Sequence, residues 1–338
     1  MPRPATVGAT AGRTTQEDAA RARIEALPAP RNAKIPPRSR WARMAARLPA
    51  LSGILALVIL LGAAGAARAD QAAAHYNIGL QLKREGKTVE AIAEVEKAIA
   101  ARPNYAAAHL TLGNLWRAQG NYEKAAAAYE KVVQLEPKDP TARGNLGAAY
   151  VRLKRVDEGI REMEESVSLA PNEYEVRVSL GFAYRQKGDF KNAIVHLTKA
   201  TELKPSEASA WTNLGVAREK ANDKPGAIAA FKKALEINPN DAAMHFNLAS
   251  VYRRQGDTDL AIAEDETAIR HDPKFAKAHY DLGILYSHER RTDDATNAFR
   301  QYLECADGAG QDAASRKDAE ERLKGLEAAA AHGKKKHP

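Results

Sequence analysis

The sequence predicts an all-α fold, an α-solenoid of seven helical hairpins closed by a C-terminal helix, and three observations predict it. An apolar-Gly pair recurs every 34 residues, as Ile78-Gly79, Leu112-Gly113, Leu146-Gly147, Leu180-Gly181, Leu214-Gly215 and Leu282-Gly283, with Leu248-Ala249 in phase. Twelve residues after each small residue stands another: Ala91, Ala125, Gly159, Ala193, Ala227, Ala261 and Ala295. Twelve further on a proline follows in six of the seven units: Pro103, Pro137, Pro171, Pro205, Pro239 and Pro273. A fixed period of this length is the mark of a repeat array rather than of a globular core. Aromatics at 6% and charged residues at 28% suit helices packed through small side chains better than a sheet rich in β-branched residues.

The first seventy residues stand apart from the array. Residues 1–70 carry 11 Lys/Arg against 4 Asp/Glu, net +7, leaving 40 against 39 for the remainder. A basic excess confined to one end is a topogenic signal rather than a basic face, so no nucleic-acid partner is expected. Leu51 to Leu61 is an apolar run preceded by Arg43 and Arg47 and followed by small residues, with Ala67 and Ala69 at the −3 and −1 positions of a cleavage site. Residues 44–69 therefore read as a signal peptide cleaved after Ala69, or as a single transmembrane anchor, since 49–67 is an uncharged stretch of 19 residues. Residues 1–43 are a basic, Pro- and Ala-rich tail, or lie upstream of a start at Met44. Under either reading the ten Lys/Arg before Leu48 keep the N-terminus cytoplasmic and the repeats outside: periplasmic or cell-envelope if cleaved, membrane-attached through 49–67 if not.

Each repeat is two antiparallel helices and a break. Small residues in both helices let the backbones approach. Proline ends the second helix because it lacks the donor that continuation needs. Turns such as Gln119-Gly120-Asn121, Lys187-Gly188-Asp189 and Gln255-Gly256-Asp257 separate the two helices. The hairpins occupy 72–105, 106–139, 140–173, 174–207, 208–241, 242–275 and 276–309. On these residues the chain resembles the tetratricopeptide repeat family over 72–309. The family's large first-helix position is matched by Leu82, Trp116, Tyr150, Tyr184, Tyr252 and Tyr286. Its bulky second-helix position is matched by Val95, Tyr129, Met163, Leu197, Phe231 and Phe299. The resemblance implies a right-handed superhelix.

Two positions depart from that pattern: Arg218 in hairpin five and Asp265 in hairpin six, each where the family buries an apolar side chain. Both are expected to pair or to snorkel to water, and a soft joint near hairpins five and six is a sharper reading of the same departures. Residues 311–331 carry Ala319, Leu323, Leu326 and Ala330 on one helical stripe and read as a capping helix, with 332–338 a tail. The single cysteine, Cys305, excludes an internal disulfide.

The resemblance implies that first helices line a concave groove holding extended or helical segments of other proteins. Two ladders fall there. A polar ladder comprises Asn77, Thr111, Asn145, Ser179, Asn213, Asn247 and Asp281. Its amides at Asn77, Asn145, Asn213 and Asn247 can donate to and accept from a peptide backbone. A basic stripe comprises Lys83, Arg84, Arg117, Arg152, Arg185, Lys220, Arg253 and Arg254, complementary to acidic segments; the helix dipole accounts for part of it. His75, His109, His245 and His279 share one repeat position, which marks structural phase rather than a metal cluster. No phosphate loop, H-E-x-x-H or G-x-S-x-G motif appears, so neither catalysis nor a cofactor or metal is expected. An envelope scaffold or co-chaperone is the leading expectation, ahead of a membrane-anchored structural subunit of an assembly or secretion machine and a regulatory partner of an envelope enzyme.

Overall fold

The computed structural model describes the backbone over residues 53–305 and 313–334, and side chains over 68–305 and 313–329. The chain divides into two compact units, 1–67 and 68–338. Residues 1–52, with the expected tail and the start of the expected signal or anchor, lie outside the described residues, and of 53–67 only the helical backbone is described. Among the described residues no helix is long and apolar enough to cross a membrane.

Fifteen helices follow one another among the described residues, without a strand. Hairpin one combines α1 (Gly53–Arg84) with α2 (Thr88–Ala101), hairpin two α3 (Ala106–Ala118) with α4 (Tyr122–Leu135), and hairpin three α5 (Pro140–Arg152) with α6 (Val156–Leu169). Hairpin four is α7 (Tyr174–Lys187) and α8 (Phe190–Leu203), hairpin five α9 (Ala208–Lys220) and α10 (Lys224–Ile237), and hairpin six α11 (Ala242–Gln255) and α12 (Thr258–His271). Hairpin seven is α13 (Ala276–His288) and α14 (Thr292–Cys305), and α15 (Ala313–Lys334) closes the array. Ala319 is buried and Leu323 and Leu326 pack beside it against Phe299 and Tyr302, as the apolar stripe requires. The helix runs to Lys334, into the segment read as a tail.

The turn inside each hairpin places one residue in the left-handed region. Glycine fills it at Gly86, Gly120, Gly188 and Gly256, but Lys154, Asn222 and Arg290 hold φ near +60° at the same repeat position. Asp and Asn start many of the helices: Asn121, Asp139, Asp189, Asp223 and Asp241 each accept a backbone N–H of the first turn.

The seam between paired helices explains the 34-residue small-residue ladder. A Cβ at Gly113 would stand 2.5 Å from the Tyr129 ring, and one at Gly215 or Gly283 2.6 Å from Phe231 or Phe299. In hairpin three the facing residue is itself glycine, and a Cβ at Gly147 would meet the Gly159 carbonyl at 2.6 Å.

Hairpin six inverts this arrangement. Ala249 replaces the glycine, and Asp265 replaces the bulky residue. Asp265 neither snorkels nor pairs fully, contrary to expectation: it is 1% exposed and its Oδ1 has no hydrogen-bond partner. The reason is geometric, since a second-helix seam position points a short side chain at the facing helix and leaves it no route to water. Burial, with Asp281 nearby, pushes its carboxyl up to about 8, against the pull of Arg253. Arg218 is half-buried and pairs in part: its Nη1 donates to the Gly226 carbonyl at 3.2 Å and its Nε lies 3.8 Å from the Asp223 carboxylate, but that Nε is buried without a hydrogen bond.

Two further ties recur with the period. The fourth residue of hairpins two to seven bonds the carbonyl of the proline six residues earlier: His109, Arg143, Arg177, Trp211, His245 and His279 bond Pro103, Pro137, Pro171, Pro205, Pro239 and Pro273. This clasp is the physical content of three of the four recurring histidines, His75 instead bonding Glu94 at 2.7 Å. Between hairpins, the Tyr150, Tyr184 and Tyr286 hydroxyls donate to Glu130, Glu164 and Glu266 of the preceding hairpin at 2.8, 2.9 and 2.6 Å.

Candidate functional site

Within the repeat unit the first helices of hairpins three to five touch their successors directly, more closely than the second helices do, so the stack curves there with its first helices inside. One depression of about 320 Å³ opens on that face. Arg117 of α3, Tyr122 of α4, Arg152 of α5, and Val178, Ser179 and Phe182 of α7 line it, with Asn213 of α9. Phe182 is 36% exposed although it is a large apolar residue. It follows Gly181 directly, one helical step from the seam, and so faces the groove.

The two sequence-derived ladders prove not to be independent. Arg185, from α7, donates through Nη1 to Asn213 Oδ1 on α9 at 2.8 Å, and Arg253 of α11 forms an ion pair with Asp281 of α13. Each tie joins a stripe residue to the ladder residue 28 positions later, in the next hairpin. Asn213 is further held because its amide donates to the Ser209 carbonyl at 2.9 Å, and burial lowers the pKa of the Arg185 guanidinium. Arg254 Nη1 pairs with Glu219 at 2.9 Å. Thr111 is buried against the Tyr76 hydroxyl at 3.1 Å, and Ser179 donates to the Glu175 carbonyl at 2.8 Å.

The remaining predicted residues are free of such ties. Asn145 on α5 and Asn247 on α11 are half-buried, and among the described residues their amides make no hydrogen bond. Asn77, Lys83 and Arg84 are exposed on α1, and Lys220 is exposed at the end of α9. Arg152 lies over the Tyr122 ring at 5.8 Å. Arg117 stands beside the Tyr129 phenol, whose pKa burial raises and Arg117 partly lowers again. Among the described residues neither Arg117 nor Arg152 meets a carboxylate. The structure thus gathers Arg117, Arg152 and Asn213 into one depression and ties Arg185 to its edge, leaving Asn77, Lys83, Arg84, Asn145, Lys220, Asn247, Arg253 and Arg254 outside its lining. Sequence reasoning missed Phe182, Val178 and Tyr122; an aromatic immediately after the seam glycine, as in Leu180-Gly181-Phe182, was the available signal. Among the described residues no group of His, Cys, Asp or Glu could hold a metal ion.

Models of the tetratricopeptide repeat match residues 82–127, 113–154, 140–173, 179–242 and 230–263, together just over half of the chain. The chain belongs to the tetratricopeptide repeat family. A tetratricopeptide repeat protein from Parabacteroides merdae ATCC 43184 is similar in structure, with 17% identity, coverage of 76% of this chain and 99% of that one, and a TM-score of 0.55. PilF of Pseudomonas aeruginosa gives 20% identity, 61% and 94% coverage and a TM-score of 0.52. These two likenesses show the fold. MamA of Desulfovibrio magneticus RS-1 is 25% identical over 50% of this chain and 96% of that one, with a TM-score of 0.48. No curated protein matches the chain in sequence. Tetratricopeptide repeats bind other proteins, and a protein-interaction scaffold is the function that membership supports.

Proposed function

We propose that this tetratricopeptide repeat chain is an exported scaffold that holds extended segments of partner proteins against the first helices of its concave face. The observation that carries the reading is the depression across hairpins two to five; Asn145, on the helix α5 that contributes Arg152 to the lining, is an amide without a hydrogen-bond partner among the described residues. A half-buried amide with both donor and acceptor free matches the alternating groups of a peptide backbone and reads no side chain. Rigid helices present it, so little ordering opposes binding on the protein's side.

The test is direct. An Asn145→Ala, Asn247→Ala double variant of the full chain should bind a pool of random decapeptides several-fold more weakly than the parent by fluorescence anisotropy. Unchanged binding would overturn the role of the amides.

Export rests on the layout of residues 44–69: basic residues, an apolar run of signal length, then Ala67 and Ala69. Sequencing the mature N-terminus from a bacterial host should give Asp70. A start at Met1 or Pro2 would refute cleavage, and retention in membranes after alkaline washing would then assign 49–67 as an anchor.

A further inference from the structure

The depression has a chemical bias. None of its lining residues is acidic, yet Arg117 and Arg152 both border it. Elsewhere on the same face Arg253 is answered by Asp281 and Arg254 by Glu219, while Lys83, Arg84 and Lys220 stand exposed away from this apolar lining. Two guanidiniums held near apolar surface, without a counter-charge, form a local positive field beside an exposed aromatic ring. Phe182 and Val178 supply that apolar surface on the next first helix.

Resting on the groove reading above, we infer that the occupant of this depression is an acidic peptide segment in which a bulky apolar side chain packs on Phe182 and Val178 while carboxylates face Arg152 and Arg117. Geometry gives a register. Arg152 stands on α5 and Phe182 on α7, first helices of successive hairpins that touch. Packed helix axes lie about 8–10 Å apart, and an extended chain advances about 3.3 Å per residue, so carboxylate and apolar anchor are separated by about three residues. Arg117 lies one hairpin further along and favours a second acidic residue beyond the first. Arginine suits this role because its planar fork meets a carboxylate through two parallel hydrogen bonds.

The test is a display selection of random decapeptides on the immobilised full chain at low salt. Enriched peptides should carry Asp or Glu about three residues from Phe, Leu, Ile or Met. Synthetic copies should bind tenfold or more weakly to R117E and to R152E, and several-fold more weakly to F182S. K233E, a charge change of the same kind on the second helix of hairpin five, should leave binding unchanged. Binding should also fall steeply between 0.05 and 0.5 M salt, as the Debye length contracts from roughly 14 Å to about 4 Å. Enriched peptides without acidic residues that still lose affinity to F182S overturn this inference and leave the groove reading standing. Peptides whose affinity none of the three groove variants alters overturn both.

Discussion

The concave face has two halves built from the same repeat positions and used in opposite ways. In hairpins four and six, stripe residues reach across a joint to a neighbouring hairpin: Arg185 to Asn213, Arg253 to Asp281, and Arg254 back to Glu219. Over hairpins two and three Arg117 and Arg152 make no such tie, although Asn145 stands 28 residues after Arg117, the spacing that joins the other pairs. A groove cation can hold its own array together or stand open to a ligand. One half is therefore a clamp on the superhelix, and the other is the surface proposed above to bind.

The largest expected effect comes from breaking the clamp at hairpins six and seven. Asp281 is 8% exposed and pairs with Arg253, while Asp265, 1% exposed, lies within the field of both. Removing one partner of a buried pair leaves the other uncompensated, at a cost of about 3 kcal/mol. Arg253→Ala should lower stability by about that amount. Hydrogen exchange should rise first in α11 to α14 while α3 to α6 keep their protection. Uniform loosening along the array would show that the two halves unfold as one.

Asp265 gives the same region a pH dependence of its own. Its native carboxyl keeps its proton to about pH 8, whereas an unfolded aspartate releases it near pH 4. Between those values the native state binds more protons, so stability falls as pH rises from 4 to 8 and is flat above. Asp281, also raised by burial and lowered by Arg253, contributes in the same direction, and Glu264 adds repulsion. At about 1.4 kcal/mol for each pH unit, the lost stabilisation is on the order of 5 kcal/mol across that window. Asp265→Asn should remove most of the slope in urea titrations at pH 5 and pH 8, leaving only the share due to Asp281. An unaltered slope would place the titration elsewhere.

Much of this organisation was legible in the residues. The period located every hairpin because glycine at one helix crossing and a bulky side chain at the other are steric necessities, as Gly113 against Tyr129 shows. The histidines were recognised as structural, but their bond to the preceding proline carbonyl was not, because nothing in composition distinguishes His109 from Trp211 or Arg143 in that role. The pairing of ladder with stripe was hidden for another reason. It joins residues 28 apart across a joint, a separation fixed by superhelical geometry rather than by the helical period. The fate of Asp265 followed from its neighbour, since Ala249 in place of glycine takes up part of the space a bulky side chain fills in the other hairpins.

A smaller effect sharpens the boundary between the halves. Arg185 holds Asn213 at the edge of the depression through one hydrogen bond to a charged donor. Such a bond contributes about 1.5 kcal/mol, so Arg185→Ala should lower the melting temperature by a few degrees. It also frees the Asn213 carbonyl oxygen, which should leave peptide affinity equal or improved. A marked loss of affinity would instead count Arg185 among the ligand-binding cations.

The smallest stability change is expected where the binding change is greatest. Arg152 is exposed and, among the described residues, lies over the Tyr122 ring at 5.8 Å, a cation–π contact worth about 0.5 kcal/mol at such a site. Arg152→Ala should therefore leave thermal stability within about 0.5 kcal/mol of the parent while weakening capture of acidic peptides about tenfold. Arg253→Ala has the reverse signature, costing stability while sparing affinity for a depression it does not line. Measuring melting temperature and peptide affinity on both variants separates the two uses of the stripe. A stability loss in Arg152→Ala as large as that in Arg253→Ala would mean that the open half is also a clamp.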